Sequence, residues 1–586
     1  GIHNRSVPGI DVYSNIFKGV GIGLSNVAGS ARIHNNTFDD FNHGYSVTTG
    51  FSYNVLNNVF RSARAGANAV SGDVSTAITS NFNHFDVANV AMGYSSLALW
   101  QAAYSQDANS ASGDPMFTDA SNFDYTPAAG SPLADSGSQL SWADFDFAGN
   151  FIASSGAIDK GAIERNGSAS FENEWYGVEV DESAATTSRT RIGKASLHAI
   201  LPVQRMMRRC ILSNSGVVQY YTGESNSYVK LDGGAALLDG TDGQFQEELP
   251  AHYYKIEREG SLVRKKISKY PIDGFTYSPK MYLGVTKGAV KRSTNQLMSV
   301  INNSADFRGG NNNAAWDAQA NTLLGKPATS ISETNFRLYA RNNGPRWCNN
   351  SFAARSVYKR LYEIEYANTN IQLPYNETLT AEGYRQGGFG PGVTEVNSTN
   401  WNEFNSSNPL IPCGVTAGLG NKSGVVNYTI VGFPGGDITV PVPSYRGLEG
   451  IYGDIWEWED GILYNIQSDA DGGQSQIFIC DDPDNYADNL TNYRQVGTLP
   501  RVSGYVSKCL LDEGLSIPSE ATGGSSTTRY SDYYYTSIPA SGSVIRGSLV
   551  SAHATDGAYA GLFCLVTYYV PAFTFALIGS RPCFIP

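Results

Sequence analysis

The sequence predicts a mainly β protein with some α-helix, built as a parallel β-helix followed by an α+β unit. Three observations predict it. A short motif recurs at near-constant spacing through the first hundred residues. The composition, with 62 Gly, 35 Tyr and 26 Phe against a charged fraction of only 16%, is that of a turn-rich β chain. The clearest helical spacing lies far downstream, between Asn335 and Gln372. At 586 residues the chain has room for two to four domains.

The recurring motif is Asn15-Ile16-Phe17, Asn36-Thr37-Phe38, Asn58-Val59-Phe60 and Asn83-His84-Phe85, with the phenylalanines 21, 22 and 25 residues apart. A period in the low twenties with Asn/Gly turns marks a parallel solenoid. Each coil repeats the last about 4.8 Å along the axis. The phenylalanines are expected to stack inside. The asparagines are expected at a turn, either as a ladder bonding backbone of adjacent coils or simply as turn formers. Gly1 opens inside this pattern without Met or a leader-like stretch, so the chain is expected to continue a longer one.

Three further elements follow: Asp114-Pro115-Met116-Phe117, Gly130 to Gly137 (GSPLADSG) and Gly156 to Glu164 (GAIDKGAIE). They resemble the closing elements of pectate-lyase-like right-handed β-helices, over roughly residues 1–165. That family includes polysaccharide lyases and phage tailspikes. A glycan-cleaving site needs two carboxylates, or an acid and a base, across one groove. Asp39, Asp40, Asp86 and Asp124 are the candidates, but their spacing sets no pair on one coil face, and solvated turn positions are expected.

Residues 166–175, NGSASFENEW, are polar and mark a junction. The boundaries that follow are a stalk over 1–166, a linker and entry strand over 167–200, and a second domain over 201–586. Trp175 to Asp181 (WYGVEVD), Thr190-Arg191-Ile192-Gly193 and Leu201 to Cys210 (LPVQRMMRRC) open the second domain. Pro250 to Ile256 and Met281 to Val285 read as strands. In the helical stretch, Phe352, Val357, Leu361 and Ile364 share one face up to Tyr366, and Arg355, Lys359, Arg360, Glu363 and Glu365 are expected to be its solvated side.

Tyr445 to Gly461 reads YRGLEGIYGDIWEWEDG, and Arg546 to Cys583 alternates two kinds of position. Arg546, Gly547, Gly557, Ala560, Gly561, Leu562, Phe563, Pro571, Ile578, Gly579 and Arg581 read as framework. His553, Thr555, Asp556, Tyr559, Val566, Tyr568, Tyr569, Phe573, Phe575 and Leu577 fall between them. These motifs resemble the targets of diversity-generating retroelements, which carry a C-type-lectin fold like that of formylglycine-generating enzymes, in a phage tailspike or tail-fibre setting. The resemblance rests on GAYAGLF, Pro571 and IGSR, on the WEWEDG motif, and on the opening of the second domain. It implies a C-type-lectin-like domain with a variable region over 546–583. Trp456, Trp458, Arg546, Gly561, Phe563, Gly579 and Arg581 would be its scaffold, and the ten intervening residues its ligand surface. Adenine-directed copying of an Asn codon, AAY, gives NNY codons, which can encode every residue in those ten slots. Trp456 and Trp458 share a face on a strand, so Glu457 and Glu459 are expected to point away, toward water or a cation.

Two other stretches, Asp469 to Gly473 and Asp481 to Asp484, offer oxygen ligands for a structural Ca²⁺, without EF-hand spacing. No metal site and no other cofactor is assigned. Seven cysteines, Cys210, Cys348, Cys413, Cys480, Cys509, Cys564 and Cys583, are scattered without CxxC or Cys/His zinc spacing and are expected as buried apolar residues. The fold-related enzyme uses reactive cysteines near its C-terminus, but the apolar settings of Cys564 and Cys583 would raise a thiol pKa, so no catalytic residue is assigned. Ala558 to Ile578 is apolar enough to consider a membrane span, but Pro571, Gly561 and the aromatic and β-branched content favour strands, and no basic cluster flanks it. A formal charge of −13 argues against a phosphate-bound nucleic acid.

The function these readings lead to is recognition: a phage tail receptor-binding protein, extracellular on the virion tail, homotrimeric, engaging a host cell-surface protein or glycan. The alternatives are a glycan-depolymerising tailspike with its site in the β-helix, and a cellular surface adhesin.

Overall fold

The computed structural model describes residues 2–4, 10–26, 30–74, 77–139, 146–147, 158–164, 171–396, 410–433, 435–511 and 514–586. Two compact units divide the chain, Gly1–Ser170 and Phe171–Pro586. Gly156 and Ala157 of the predicted closing element, and 166–170 of the predicted junction, lie outside the described residues.

The first unit is a β-solenoid of about four turns. Three parallel sheets run along it. One stacks Ile10–Tyr13, Ala31–His34, Ser52–Leu56 and Ala77–Asn81; the next stacks Ile16–Lys18, Thr37–Asp39, Val59–Arg61, His84–Asp86 and Ala111–Ser112. The register pairs Phe17 with Phe38, Phe38 with Phe60 and Phe60 with Phe85. Their rings stack at 4.7, 4.9 and 5.4 Å, nearly the strand repeat itself.

The turn between those two sheets explains the asparagines. Ser14, Asn35, Asn57 and Phe82 sit there in the left-handed region, at φ 51°, 52°, 58° and 56°. Each is followed by a ladder Asn. Asn58 Oδ1 accepts both the backbone N–H and the Nδ2 of Asn36, at 3.0 Å each, and Asn83 Oδ1 does the same for Asn58. Asn36, Asn58 and Asn83 are fully buried. They are therefore a load of interior hydrogen bonds as well as turn formers. The ladder ends at Asp107, whose carboxylate accepts from Asn83 Nδ2 and from the indole of buried Trp100 on helix α1 (Leu97–Tyr104).

After the last coil the chain packs back on the solenoid. Tyr125 donates its hydroxyl to Asp39 at 2.7 Å, Gly161 N–H donates to Asn57 O, and Ala162 N–H to Thr37 Oγ1.

The second unit holds a five-stranded sheet, a seven-stranded sheet and a larger mixed sheet. Strand Tyr176–Asp181 lies inside the five-stranded sheet, between Thr190–Gly193 and Leu262–Ser268, so the segment expected as linker and entry strand is an integral sheet element. The larger sheet is built on Trp456–Gln467, which pairs with Ser475–Ile479 on one side and Ser543–Val550 on the other. Besides the short α2 (Ala195–Ile200), two helices pack here, α3 (Glu333–Arg341) and α4 (Phe352–Tyr366). The helical spacing expected from Phe352 to Tyr366 is α4, and α3 precedes it as a separate helix within the stretch 335–372. Asn342-Asn343-Gly344-Pro345 ends α3, with Gly344 at φ 140°, and strand Trp347–Asn349 intervenes before Ser351 caps α4.

Two expectations about charge are corrected. The polar side of α4 is not solvated: Arg355, Lys359, Arg360, Glu363 and Glu365 are all buried. The helix is covered on all sides, and each charge finds a partner on a distant segment. Glu363 pairs with Arg189 and Lys265, Glu365 with Arg446, and Lys359 donates to Ser516 O. Likewise Glu457 and Glu459 do not face water. Both flanks of strand Trp456–Gln467 are covered, so Trp456, Glu457, Trp458 and Glu459 are all buried. Glu457 receives a two-pronged contact from Arg581, at 2.8 Å to each oxygen, with Lys287 at 3.5 Å. Glu459 accepts from Ser548 and faces Arg355.

Candidate functional site: an aromatic surface over 553–577

The framework of the C-terminal stretch is locked by sterics and polar contacts. Leu562, Phe563, Ile578 and Arg581 are buried. Arg355 donates to Leu562 O. Asp532, itself buried, accepts the Phe563 N–H at 2.7 Å, and a Cβ at Gly561 would collide with the Asp532 carboxylate. Burial pushes the Asp532 carboxyl up to about 7. A Cβ at Gly579 would meet Ile455, and one at Gly547 would meet Glu333 and the Trp458 ring. Arg546 is half-buried at the edge of this core, its guanidinium pKa lowered by burial and raised in part by Tyr568.

Between these fixed points the chain projects aromatic side chains. Tyr568 and Phe575 are 46% and 48% exposed, and Tyr559 39%. Tyr569 and Phe573 are part-buried and stack at 4.1 Å with a 13° tilt. Tyr568 meets Tyr569 at 5.0 Å, and Phe575 meets Phe573 at 6.2 Å, so the four rings form one array. Its loop is anchored by backbone bonds: Gly547 N–H to Tyr569 O, Glu333 N–H at the start of α3 to Pro571 O, and Ser330 N–H to Phe575 O.

Two of the ten expected surface residues are core. Val566 lies within strand Leu565–Thr567, between Tyr533–Thr536 and Ser543–Val550, and is buried. Leu577 is buried one residue before the Ile578 pairing, with its carbonyl accepting the Trp456 N–H. Both are apolar residues at positions where strand pairing closes over them. His553, Thr555 and Asp556 are part-buried and form a polar turn of their own: Thr555 donates to His553 Nδ1 from backbone and hydroxyl, and His553 N–H donates to Asp556 Oδ2 at 2.8 Å. Burial lowers the His553 pKa and raises that of Asp556.

The structure brings residues from outside the predicted set, Tyr505, Tyr533 and Tyr535, beside Tyr559. Tyr505, Tyr533, Tyr535 and Tyr559 form a second cluster, with Tyr533–Tyr559 at 4.5 Å, Tyr533–Tyr535 at 4.7 Å and Tyr505–Tyr559 at 5.5 Å. Trp456 meets Tyr535 and His553 edge-on. The signal was present in Tyr533-Tyr534-Tyr535: on a strand the outer two share a face, while Tyr534 is fully buried.

The other candidates have structural occupations. Along the solenoid sheet that carries the stacked phenylalanines, Lys18, Asp39, Arg61 and Asp86 stand in register as an alternating-charge column. Asp39 is buried and pairs with Arg61 at 2.9 Å, so it is not a solvated turn residue. Asp40 pairs with Arg64, and Asp124 accepts the Thr126 N–H. Asp469 pairs with Arg501, Asp471 accepts from Ser468 and Gly542, Asp481 pairs with Arg494, and Asp482 and Asp484 flank Arg346. Among the described residues no group of three His, Cys, Asp or Glu side chains is gathered to hold a metal.

All seven cysteines are buried and unbridged. Burial pushes the Cys564 thiol well above its usual range, and Cys413 and Cys509 up to about 12. No described helix is long and apolar enough to cross a membrane. The apolar run 558–578 folds as a short helical turn, strand Leu565–Thr567 and the aromatic loop. No protein-family model matches the chain, and comparison with curated proteins finds none similar to it.

Proposed function

We propose that residues 171–586 form a C-type-lectin-like display domain of the diversity-generating-retroelement type, and that the chain is the receptor-binding part of a phage tail protein, trimeric on the virion and bound to a host cell-surface protein or glycan. One observation carries this reading: exposed and stacked aromatics at 559, 568, 569, 573 and 575 alternate with buried, sterically locked framework at 561–563 and 578–581. Rigid aromatic side chains give large contact area at small entropic cost and dominate interface energies. The Tyr505/Tyr533/Tyr535 cluster would extend that surface with residues outside the variable stretch. Val566 and Leu577 belong to the scaffold in this reading.

The test is a variant with Tyr559, Tyr568, Tyr569, Phe573 and Phe575 all changed to Asn, compared with Phe563→Asn. The five-Asn variant should keep its melting transition and lose binding to intact bacterial cells that the parent protein binds. Phe563→Asn should unfold the unit, because it buries an amide where a ring packs. A five-Asn variant that binds those cells as well as the parent, or that unfolds, ends the proposal. Sequencing the DNA flanking the coding region is the second check. A reverse-transcriptase gene and a near-copy of the final stretch with Asn codons in the exposed slots are expected there.

A further inference from the structure

A cleft elsewhere in the second unit has a volume of about 690 Å³, and its walls carry Arg205, Arg208, Arg385, Lys422 and Arg446 against only Glu224 and Glu377. Such a concentration of cations is unexpected in a chain of formal charge −13. The volume lies inside the range of small-molecule sites, roughly 300–1,000 Å³.

Three of these cations are held in place from behind. Arg446 is fixed by two bonds to buried Glu365, at 2.6 and 2.9 Å, and Arg385 leans on the same carboxylate at 3.7 Å. Arg208 lies over the Tyr221 ring at 4.0 Å, beside Glu248. The other two, Arg205 and Lys422, are exposed and have no ion-pair partner among the described residues. Tyr375 supplies an aromatic wall. Its ring stacks on Phe389 and its hydroxyl donates to Ser423 O, so it too is fixed.

We propose that this cleft binds an acidic saccharide unit, a sugar carrying one carboxylate. Guanidinium forks match a carboxylate in two-pronged fashion. A fixed tyrosine beside polar groups suits the apolar face and hydroxyls of a sugar ring. Glu224 and Glu377 on the same walls disfavour a polyanion, which selects a single negative group over a polyphosphate or a nucleic-acid strand. The site is separate from the aromatic surface and does not rest on the function proposed for it.

Calorimetric titration of the whole chain with glucuronate, glucose and inorganic phosphate tests this. Glucuronate should bind, glucose at the same concentration should not, and added salt should weaken the glucuronate signal. The double variant Arg205→Ala/Lys422→Ala should reduce glucuronate affinity by about tenfold or more, the loss of a charge-assisted contact, while its melting transition stays that of the parent. The variant Tyr568→Asn/Phe575→Asn should bind glucuronate like the parent. Equal binding of glucose and glucuronate, phosphate binding without glucuronate binding, or full affinity in the double variant would each overturn the proposal.

Discussion

The two units bury polar groups in opposite ways. In the solenoid the buried ladder asparagines are bonded to their counterparts one coil away, 22 residues for Asn36 and Asn58 and 25 for Asn58 and Asn83. In the second unit many buried groups are charged, and several of their partners are remote in sequence: Arg581 and Glu457 are 124 residues apart, Arg189 and Glu363 174. A repeated neutral ladder adds one unit at a time, and each rung costs and returns a similar free energy. A long-range ion-pair network forms only when the whole unit closes, and each member left alone is a desolvated charge. The difference teaches that the first unit should fail locally and by degrees, and the second globally.

The largest effect should come from Arg581→Ala. It removes the two-pronged partner of buried Glu457 and leaves only Lys287 at 3.5 Å and Asn350 beside it, and losing one partner of a buried pair costs about 3–5 kcal/mol. The second unit's transition in chemical denaturation should move far down or vanish while the solenoid's stays put. The sharper comparison is Arg581→Met with Glu457→Leu, which removes both charges and should recover much of the loss. If the single and double variants are equally destabilised, packing rather than charge dominates there.

Next comes Asn58→Ala in the solenoid. It deprives Asn36 of its acceptor and Ile33 and Leu56 of a donor. Each buried group left unsatisfied costs about 1–3 kcal/mol. Hydrogen exchange should rise in the coils flanking residue 58 and remain unchanged in the second unit. Protection lost throughout the chain would contradict the local picture.

A smaller effect is set by pH. Burial holds the Asp532 carboxyl up at about 7, above the usual carboxylate range. An acid whose folded pKa is raised contributes stability that is complete below its unfolded value, about 3.9, and is lost as pH rises through about 7. Stability of the second unit should therefore fall across that window, and Asp532→Asn should flatten the slope in denaturation curves taken at several pH values. A steeper slope in the variant would assign the dependence to other groups. Smallest of all should be the stability change in the five-Asn surface variant, about 0.5 kcal/mol or less per exposed position, read as a melting temperature.

Legibility in the sequence followed the same division. The Asn-x-Phe repeat told the period and the stacked phenylalanines, because both partners of those contacts carry the same letters at a near-constant offset, but it left open whether the asparagines form a ladder or only turns. The charges of α4 and of the WEWEDG strand were misplaced, since a helix or strand pattern shows one apolar face and cannot show that a second layer covers the other. In the C-terminal stretch the framework glycines and Phe563 stood out, whereas Val566 and Leu577 did not, because an apolar residue beside a strand end looks the same whether it faces in or out. Tyr533 and Tyr535 were overlooked although their alternation with Tyr534 was visible. The basic cleft assembles Arg205, Arg385, Lys422 and Arg446 from four separate segments, and no local pattern announces that.

The crowding around Gly547, Gly561 and Gly579 works as a filter on mutation. A side chain placed there strikes the Asp532 carboxylate, the Glu333 carboxylate and Trp458 ring, or Ile455, so such a variant is selected against at folding. A change at exposed Tyr568 or Phe575 passes that stage, and under the proposed function only binding would then judge it. A library randomised evenly across 546–583 and selected only for folded protein, with no ligand present, would therefore come out uneven. Diversity would survive at the exposed slots and vanish at the glycines, and a map of the proposed recognition surface would emerge from folding alone.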